Sequence, residues 1–436
     1  MRRLQTILTA FAVLIFCGLS LAGCASAPSG STPHAISFSP ILRPETGMHT
    51  AGIQRISVDR TGSLLLTASQ DKTARLWSLP DGHLLQIFRP PEALGDEGKP
   101  NAGALSPDGM IAAVGGSTGY EWDGVNYVYL FEAATGALRS RLSTGENHSI
   151  THLAFSPDGR FLIACLNGGG TNGSLTGARG GGGIEVWETT HWTMLAHDSN
   201  YDEAALGIPV IPAFAGDDSS DYIWPTYGAE FDHSDRVATT NFDGGIRLYD
   251  TSFHIAAKIE APGGTKPFGI AFSPNGHQIA VGYLDVSRVD VLSGTDLHLL
   301  STVDTRGIDA GPNEVGLGAV AWSSDGKTLF AGGGGRRSAR QTAIHAWAEA
   351  GRGPRQDVPV DGRGIASLQG LAGGGVAHAS ITPPTWATAR TPVPVGQSPQ
   401  IADFEDPDGL RLSADGTRVA FKSYDEFIPH IKLRPE

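Results

Sequence analysis

One short turn recurs along this chain, and it limits the possible fold more than any other feature. Ser106-Pro107-Asp108-Gly109, Ser156-Pro157-Asp158-Gly159, Ser273-Pro274-Asn275-Gly276, Ser323-Ser324-Asp325-Gly326 and Ser413-Ala414-Asp415-Gly416 each sit between apolar runs. Asp-Gly and Asn-Gly supply the positive φ angles that tight hairpin turns need, so each copy predicts two antiparallel strands. Asp59-Arg60-Thr61-Gly62 and Asp232-His233-Ser234-Asp235 are weaker copies. The spacing is about 50 residues, with wider gaps after Gly159 and Gly326. The first gap holds the copy at Asp232 and an insertion. The second fits a degenerate unit around Gly373-Gly374-Gly375.

A second element follows each hairpin. Ala74-Arg75-Leu76-Trp77, Val128-Tyr129-Leu130-Phe131, Ile184-Glu185-Val186-Trp187, Ile246-Arg247-Leu248-Tyr249, Val289-Asp290-Val291-Leu292 and Ile344-His345-Ala346-Trp347 alternate apolar residues with others. That alternation predicts a third strand packed between neighbouring sheets. Turns such as Leu79-Pro80-Asp81-Gly82 then lead to a fourth. Four strands per period is one blade of a β-propeller, so the expected fold is all-β, with seven or eight four-stranded antiparallel blades. Composition agrees: 58 glycines, 27 prolines and only 18% charged residues suit short strands and tight turns. A repeat array also explains how 436 residues form one domain, since each repeat adds its own slice of core. For closure, Ala35-Ile36-Ser37-Phe38 is a plausible strand to complete the last sheet and remove an exposed edge.

Ser69-Gln70-Asp71-Lys72-Thr73-Ala74-Arg75-Leu76-Trp77, with His49 upstream, resembles a complete WD-repeat blade. Asn241-Phe242-Asp243 ahead of Tyr249-Asp250 resembles a second. The resemblance implies that His49, Ser69, Asp71 and Trp77 form a hydrogen-bonded structural network rather than a catalytic triad. The blades are also similar to arrays that some bacterial proteins carry ahead of a caspase-like peptidase domain. No such domain follows within these 436 residues.

The N-terminus carries a different signal. Arg2 and Arg3 precede an apolar stretch from Ile7 to Leu21, which leads into Leu21-Ala22-Gly23-Cys24. A cationic start, an apolar centre and small residues at the end form an export signal. The last four residues resemble the lipobox of bacterial lipoproteins, which implies cleavage after residue 23 and lipidation of Cys24. Residues 24–34 then read as a flexible linker of small residues and proline, and 35–436 as the propeller. Ser26 stands where aspartate often marks retention in the inner membrane, so the resemblance favours a periplasmic protein anchored to the outer membrane. Of three cysteines only Cys165 remains in the body, so no disulfide framework is possible there. It lies in an apolar run and reads as an inert core residue.

A formal charge of −13 repels nucleic acid, and no nucleic-acid partner is expected. Metal-spaced His/Cys clusters, nucleophile motifs and cofactor fingerprints are all absent from the sequence, so no cofactor is expected. The connections between predicted strands are lopsided. Those joining first to second and third to fourth strands are short. Long ones fall on the opposite face, at 116–126, 167–182, 332–341, 197–222 and 304–315. Loops added to a rigid scaffold are where binding resides. Tyr120, Glu121, Trp122 and Asp123, with Tyr127, combine aromatic and acidic groups as an interface anchor does. Arg336 and Arg337, with Arg340, form a basic spot that could dock an acidic group. The glycine-rich 168–183 stretch lacks a phosphate-loop ending and reads as an insertion. The carboxylates of 197–221 match no calcium-loop spacing and read as a solvated acidic loop.

The function these features favour is a non-catalytic scaffold that binds protein partners at the cell envelope, touching the membrane only through its lipid anchor. Two alternatives stand beside it. One is a propeller enzyme with a lactonase- or hydrolase-like site at the mouth of the central channel. The other is a truncated regulatory array of a caspase-like peptidase protein.

Overall fold

A computed structural model describes residues 47–79, 81–91, 97–119, 125–144, 149–167, 183–198, 228–241, 244–308, 316–333, 341–361, 363–372, 375–382, 385–390, 393–397, 411–412, 418–422 and 427–432. Cys24, Ala35 to Phe38, Tyr120 to Asp123, and Arg336, Arg337 and Arg340 lie outside them. Every described residue belongs to the unit spanning 45–436. Among them no helix is long and apolar enough to cross a membrane.

The turn motif does what its chemistry dictates. Ser106, Ser156 and Ser323 donate their hydroxyls to Asp108, Asp158 and Asp325 at 2.6–2.7 Å, and Ser273 donates to Asn275 at 2.8 Å. The same hydroxyls accept the amides of Ile111, Phe161, Thr328 and Gln278 at 2.9–3.0 Å, closing each hairpin. Gly109, Gly159, Gly276 and Gly326 take φ between 69° and 80°, the region glycine enters without steric cost. The weaker copies close in another way. Asp59 accepts the amides of Ser63 and Leu64 at 2.7 Å, and Asp232 accepts those of Ser234 and Arg236 at 2.9 Å. Asp235 stands in the glycine's place with a φ of 64°.

These hairpins organise four-stranded antiparallel sheets in sequence order, spanning 53–88, 99–143, 149–198, 228–260, 267–302 and 319–361. We number them sheets 1 to 6. Their first strands are Ile53–Val58, Lys99–Leu105, Ser149–Phe155, Gly228–Phe231, Pro267–Phe272 and Ala319–Trp322. Each first strand packs against the first strand of the next sheet, so these strands form the inner wall. Apolar side chains of successive sheets interdigitate: Leu66, Ala74 and Phe88 of sheet 1 pack with Leu105, Val114 and Phe131 of sheet 2. The fold is an all-β propeller of four-stranded antiparallel blades.

The blade count expected from the sequence needs correction. Six blades, rather than seven or eight, are described with all four strands and their packed cores, and these regular blades end at residue 361. In the next unit the turn motif loses its serine and aspartate. Leu371 stands where the serine would be, its amide bonded to the Gly375 carbonyl at 3.2 Å. A further four-stranded sheet of different sequence character spans 363–397, with Arg363–Gly370 as its first strand. That strand packs on the first strand of sheet 6 and on the first strand of sheet 1. Leu371, Ala377 and Ala379 pack with Ile53, Ile56, Leu65 and Trp77 of sheet 1. The strands at 411–412, 418–422 and 427–432 form a separate three-stranded sheet paired to none of the others.

Candidate functional site

The set that looks catalytic in the sequence lies in the core. His49 Nδ1 donates to the Asp71 carboxylate at 2.8 Å, and its Nε2 lies 2.6 Å from Thr67 Oγ1. The Trp77 indole N–H donates to the same hydroxyl at 2.9 Å. His49, Asp71 and Trp77 are therefore brought together, but the hydroxyl that joins them is Thr67's. Ser69 stands beside the cluster, donating to the Ala51 carbonyl at 2.8 Å and accepting the Asp71 amide at 3.2 Å. Burial opposes charge on Asp71, yet the adjacent His49, Thr73 and Arg75 hold its carboxyl well below the usual range. Aspartate, histidine and threonine in a row have the connectivity of a triad. Thr67, however, is wholly buried and already accepts the indole N–H, so no substrate can reach it.

The same place in other sheets holds different polar sets. In sheet 5 the buried Asp290 accepts Tyr283 Oη and Arg288 Nε at 2.8 Å and Thr302 Oγ1 at 2.7 Å. In sheet 3 Glu185, on the third strand, meets His197 at 3.3 Å, while Asp198 accepts the Tyr249 hydroxyl at 2.9 Å. His197 and Asp198 open the acidic stretch, and both are engaged within the fold; the rest of it lies outside the described residues. Among the described residues no group of three His, Cys, Asp or Glu side chains could hold a metal ion.

Of the aromatic and acidic loop only Tyr127 is described. It lies on the third strand of sheet 2, partly buried, with the Arg141 guanidinium carbon 4.4 Å from its ring centroid. Cys165 is a free, fully buried thiol of the sheet 3 core, and burial pushes it up beyond reach of ionisation. Its partner across the strand pair is His152.

Sequence reasoning passed over the inner wall. Arg55, on the first strand of sheet 1, is 9% exposed. Its Nε donates to His152 Nδ1 of sheet 3 at 3.1 Å, and its guanidinium carbon lies 5.3 Å from the Phe268 ring centroid of sheet 5. Those strands are not neighbours of the first strand of sheet 1 around the wall, so Arg55 reaches across the axis. Burial, then Arg55 beside it, pulls His152 down to about 3. Glu230, on the first strand of sheet 4, is driven up to about 8 by burial alone. His378, whose Nδ1 is buried with no hydrogen-bond partner, is drawn down to about 4 by burial. The residues forming these groups are isolated single letters outside any repeat motif, so no pattern in the sequence marks them.

A pH profile follows from the three groups. Histidines that prefer to be neutral when folded cost nothing above pH 6.5, then destabilise as the unfolded chain takes up protons first. At about 1.4 kcal/mol per unit, His378 alone removes up to about 3 kcal/mol between pH 6.5 and 4. Glu230 acts in the other direction: its neutral form is favoured, so stability falls as pH rises from 4.5 through 8. Urea unfolding should therefore show a maximum at mildly acidic pH. Glu230→Gln should flatten the arm above pH 6.5 and steepen the one below it, where Glu230 and the histidines act in opposite directions; an unchanged alkaline arm would refute the assignment.

The family described as WD domain, G-beta repeat matches residues 45–78 and 139–175. The first match covers three strands of sheet 1 and its His49–Asp71 cluster. The second begins in the outer strand of sheet 2 and runs into sheet 3, so the sequence repeat is offset from the blade. Together with the four-stranded sheets, the matches support a WD-repeat propeller.

Proposed function

We propose that the protein is a non-catalytic scaffold whose second-to-third-strand and inter-sheet connections bind protein partners. WD-repeat propellers generally mediate protein–protein interactions, which supports the reading. The observation that carries it is the asymmetry between the two faces. On one face the connections are 59–63, 106–110, 156–160, 232–236, 273–277 and 323–328, each tied by turn hydrogen bonds. On the other, the chain spends 118–126, 168–182, 199–227, 303–318 and 333–340 between strands. Short turns saturated with internal hydrogen bonds leave few groups for a partner, whereas long connections on a rigid frame supply them. Tyr120, Glu121, Trp122, Asp123 and Tyr127 are the proposed aromatic anchor, and Arg336 and Arg337 the proposed basic contact.

The location belongs to the same reading. Cleavage after Gly23 and lipidation at Cys24 would anchor the propeller at the cell envelope, on the periplasmic side of the outer membrane, with partners there. Crosslinking with mass spectrometry in envelope fractions should recover a stable protein partner through residues of 118–126 or 333–340. Links confined to the short-turn face would sink the face assignment. Cys24→Ser should move the protein from the membrane to the soluble fraction, and unchanged fractionation would sink the anchor.

A further inference from the structure

We propose that the axis of the propeller binds a small free oxyanion, a phosphate- or carboxylate-sized ion, at Arg55. The inference goes beyond the scaffold reading and does not depend on it.

The argument starts from an unbalanced charge. A buried guanidinium is costly unless it is paired. Arg55 donates to His152 Nδ1 and, at 3.2 Å, to the Gln54 carbonyl; both acceptors are neutral. The Phe268 ring adds a cation–π contact, worth only about 0.5–2 kcal/mol. No carboxylate among the described residues pairs with it. Of five guanidinium donors the described residues thus engage two.

The repeat register shows why the neighbours cannot supply an anion. Four residues before the leading turn residue stand Arg55, Ala102, His152, Gly228, Gly269 and Ala319 in sheets 1 to 6. The first strand at 363–370 brings Ser367 to the same level, paired with Ala379 as Arg55 is with Ala68. None of these is acidic. The inner strands approach closely here: the Gly269 amide donates to the Gly318 carbonyl at 2.9 Å, and a Cβ on Gly269 would sit 2.2 Å from that oxygen. No acidic side chain could be inserted between them. Glu230 lies two residues further along the wall and is the single carboxylate on the first strands, but burial keeps it protonated at neutral pH. Cys165 interacts with Arg55, yet burial keeps it a thiol.

The inner strands of an acidic protein therefore carry a positive charge. Arg55 is the third residue of its strand, near the end that meets the face with the long connections, and that is the side from which an anion would enter. An oxyanion there would take the guanidinium donors that the described residues leave unengaged, in a charge-assisted bond, the strongest kind available to a buried arginine.

The test titrates sodium phosphate or sodium acetate into the full-length protein, against sodium chloride at matched ionic strength. Melting temperature and ³¹P line width are followed. A saturable rise in melting temperature with either oxyanion, absent in chloride, is expected. At about a hundred times its Kd the ligand shifts the folding equilibrium about 100-fold toward the folded chain. A response to phosphate alone identifies a dianion, and an equal response to acetate a carboxylate. Arg55→Met should abolish the response while remaining at least as stable in anion-poor buffer; Arg55→Lys should weaken it. No saturable broadening and no excess shift in the wild-type chain would overturn the proposal, as would an unchanged response in Arg55→Met. If Arg55→Met fails to fold, the wild-type titration decides.

Discussion

A chain ending at Asp361 is expected to aggregate on expression, whereas one ending at Gln397 remains soluble and monomeric. The difference lies in what the 363–397 sheet covers. Its Leu371, Ala377 and Ala379 pack on Ile53, Ile56, Leu65 and Trp77 of sheet 1, while Ile365, Leu368 and Val376 pack with Ala319, Ala321 and Phe330 of sheet 6. Each large apolar side chain uncovered forfeits about 1.5–3 kcal/mol. At both faces the loss rivals the whole stability of a typical domain, about 5–15 kcal/mol. Polar contacts go too: the Ile365 amide bonds the Gly333 carbonyl at 2.9 Å, and Ser324 Oγ bonds the Ala372 carbonyl at 3.2 Å. The exposed sheets would then offer apolar faces for association. By contrast the strands at 411–432 pair only with one another, so removing them uncovers no partner strand. Solubility and size-exclusion chromatography check both truncations. A soluble, cooperatively unfolding 1–361 chain would show that the wall does not depend on the 363–397 sheet.

How much of this was legible in the sequence depended on whether a residue's role is local. The serine–aspartate turns were legible because Ser106 bonds Asp108 and Ile111, all within five residues. The third strands were legible because alternation is a local pattern; that the polar positions within it, Arg75, Glu185, Arg247 and Asp290, are also buried was not. The blade count was not. The gap after Gly326 did read as a degenerate unit, but the sheet at 363–397 has Leu371 where the motif has serine, and its packing is set by contacts with sheet 1, some three hundred residues earlier in the chain. The network was legible in His49, Asp71 and Trp77 but not in the hydroxyl that links them. Ser69 and Thr67 are both hydroxyls on one strand facing the same way, and only geometry selects Thr67 as the link. Arg55 was invisible for the same reason, since its partners at 152 and 268 are brought together by the ring alone.

The wiring makes Thr67→Val a sharper test than loss of the more obvious residue. Valine keeps the shape and removes the hydroxyl, leaving the Trp77 indole N–H and His49 Nε2 buried without their partner. An unsatisfied buried polar group costs about 1–3 kcal/mol, so the change should cost about 2–5 kcal/mol despite unchanged packing. Ser69→Ala leaves the His49–Thr67–Trp77 chain intact and should cost about 1 kcal/mol, the net worth of an ordinary hydrogen bond. Trp77→Ala removes the indole as well as its bond. Trp77 is 2% exposed and packs between sheet 1 and the 363–397 sheet, so about 3–5 kcal/mol is expected. Trp77→Phe should fall between, since it keeps much of the ring and loses only the indole bond to Thr67, which still has His49. Urea midpoints at constant m-value order the series as Trp77→Ala and Thr67→Val well below Ser69→Ala. If Ser69→Ala proves the more damaging of the two hydroxyl changes, the network runs through Ser69 and the connectivity drawn through Thr67 is wrong.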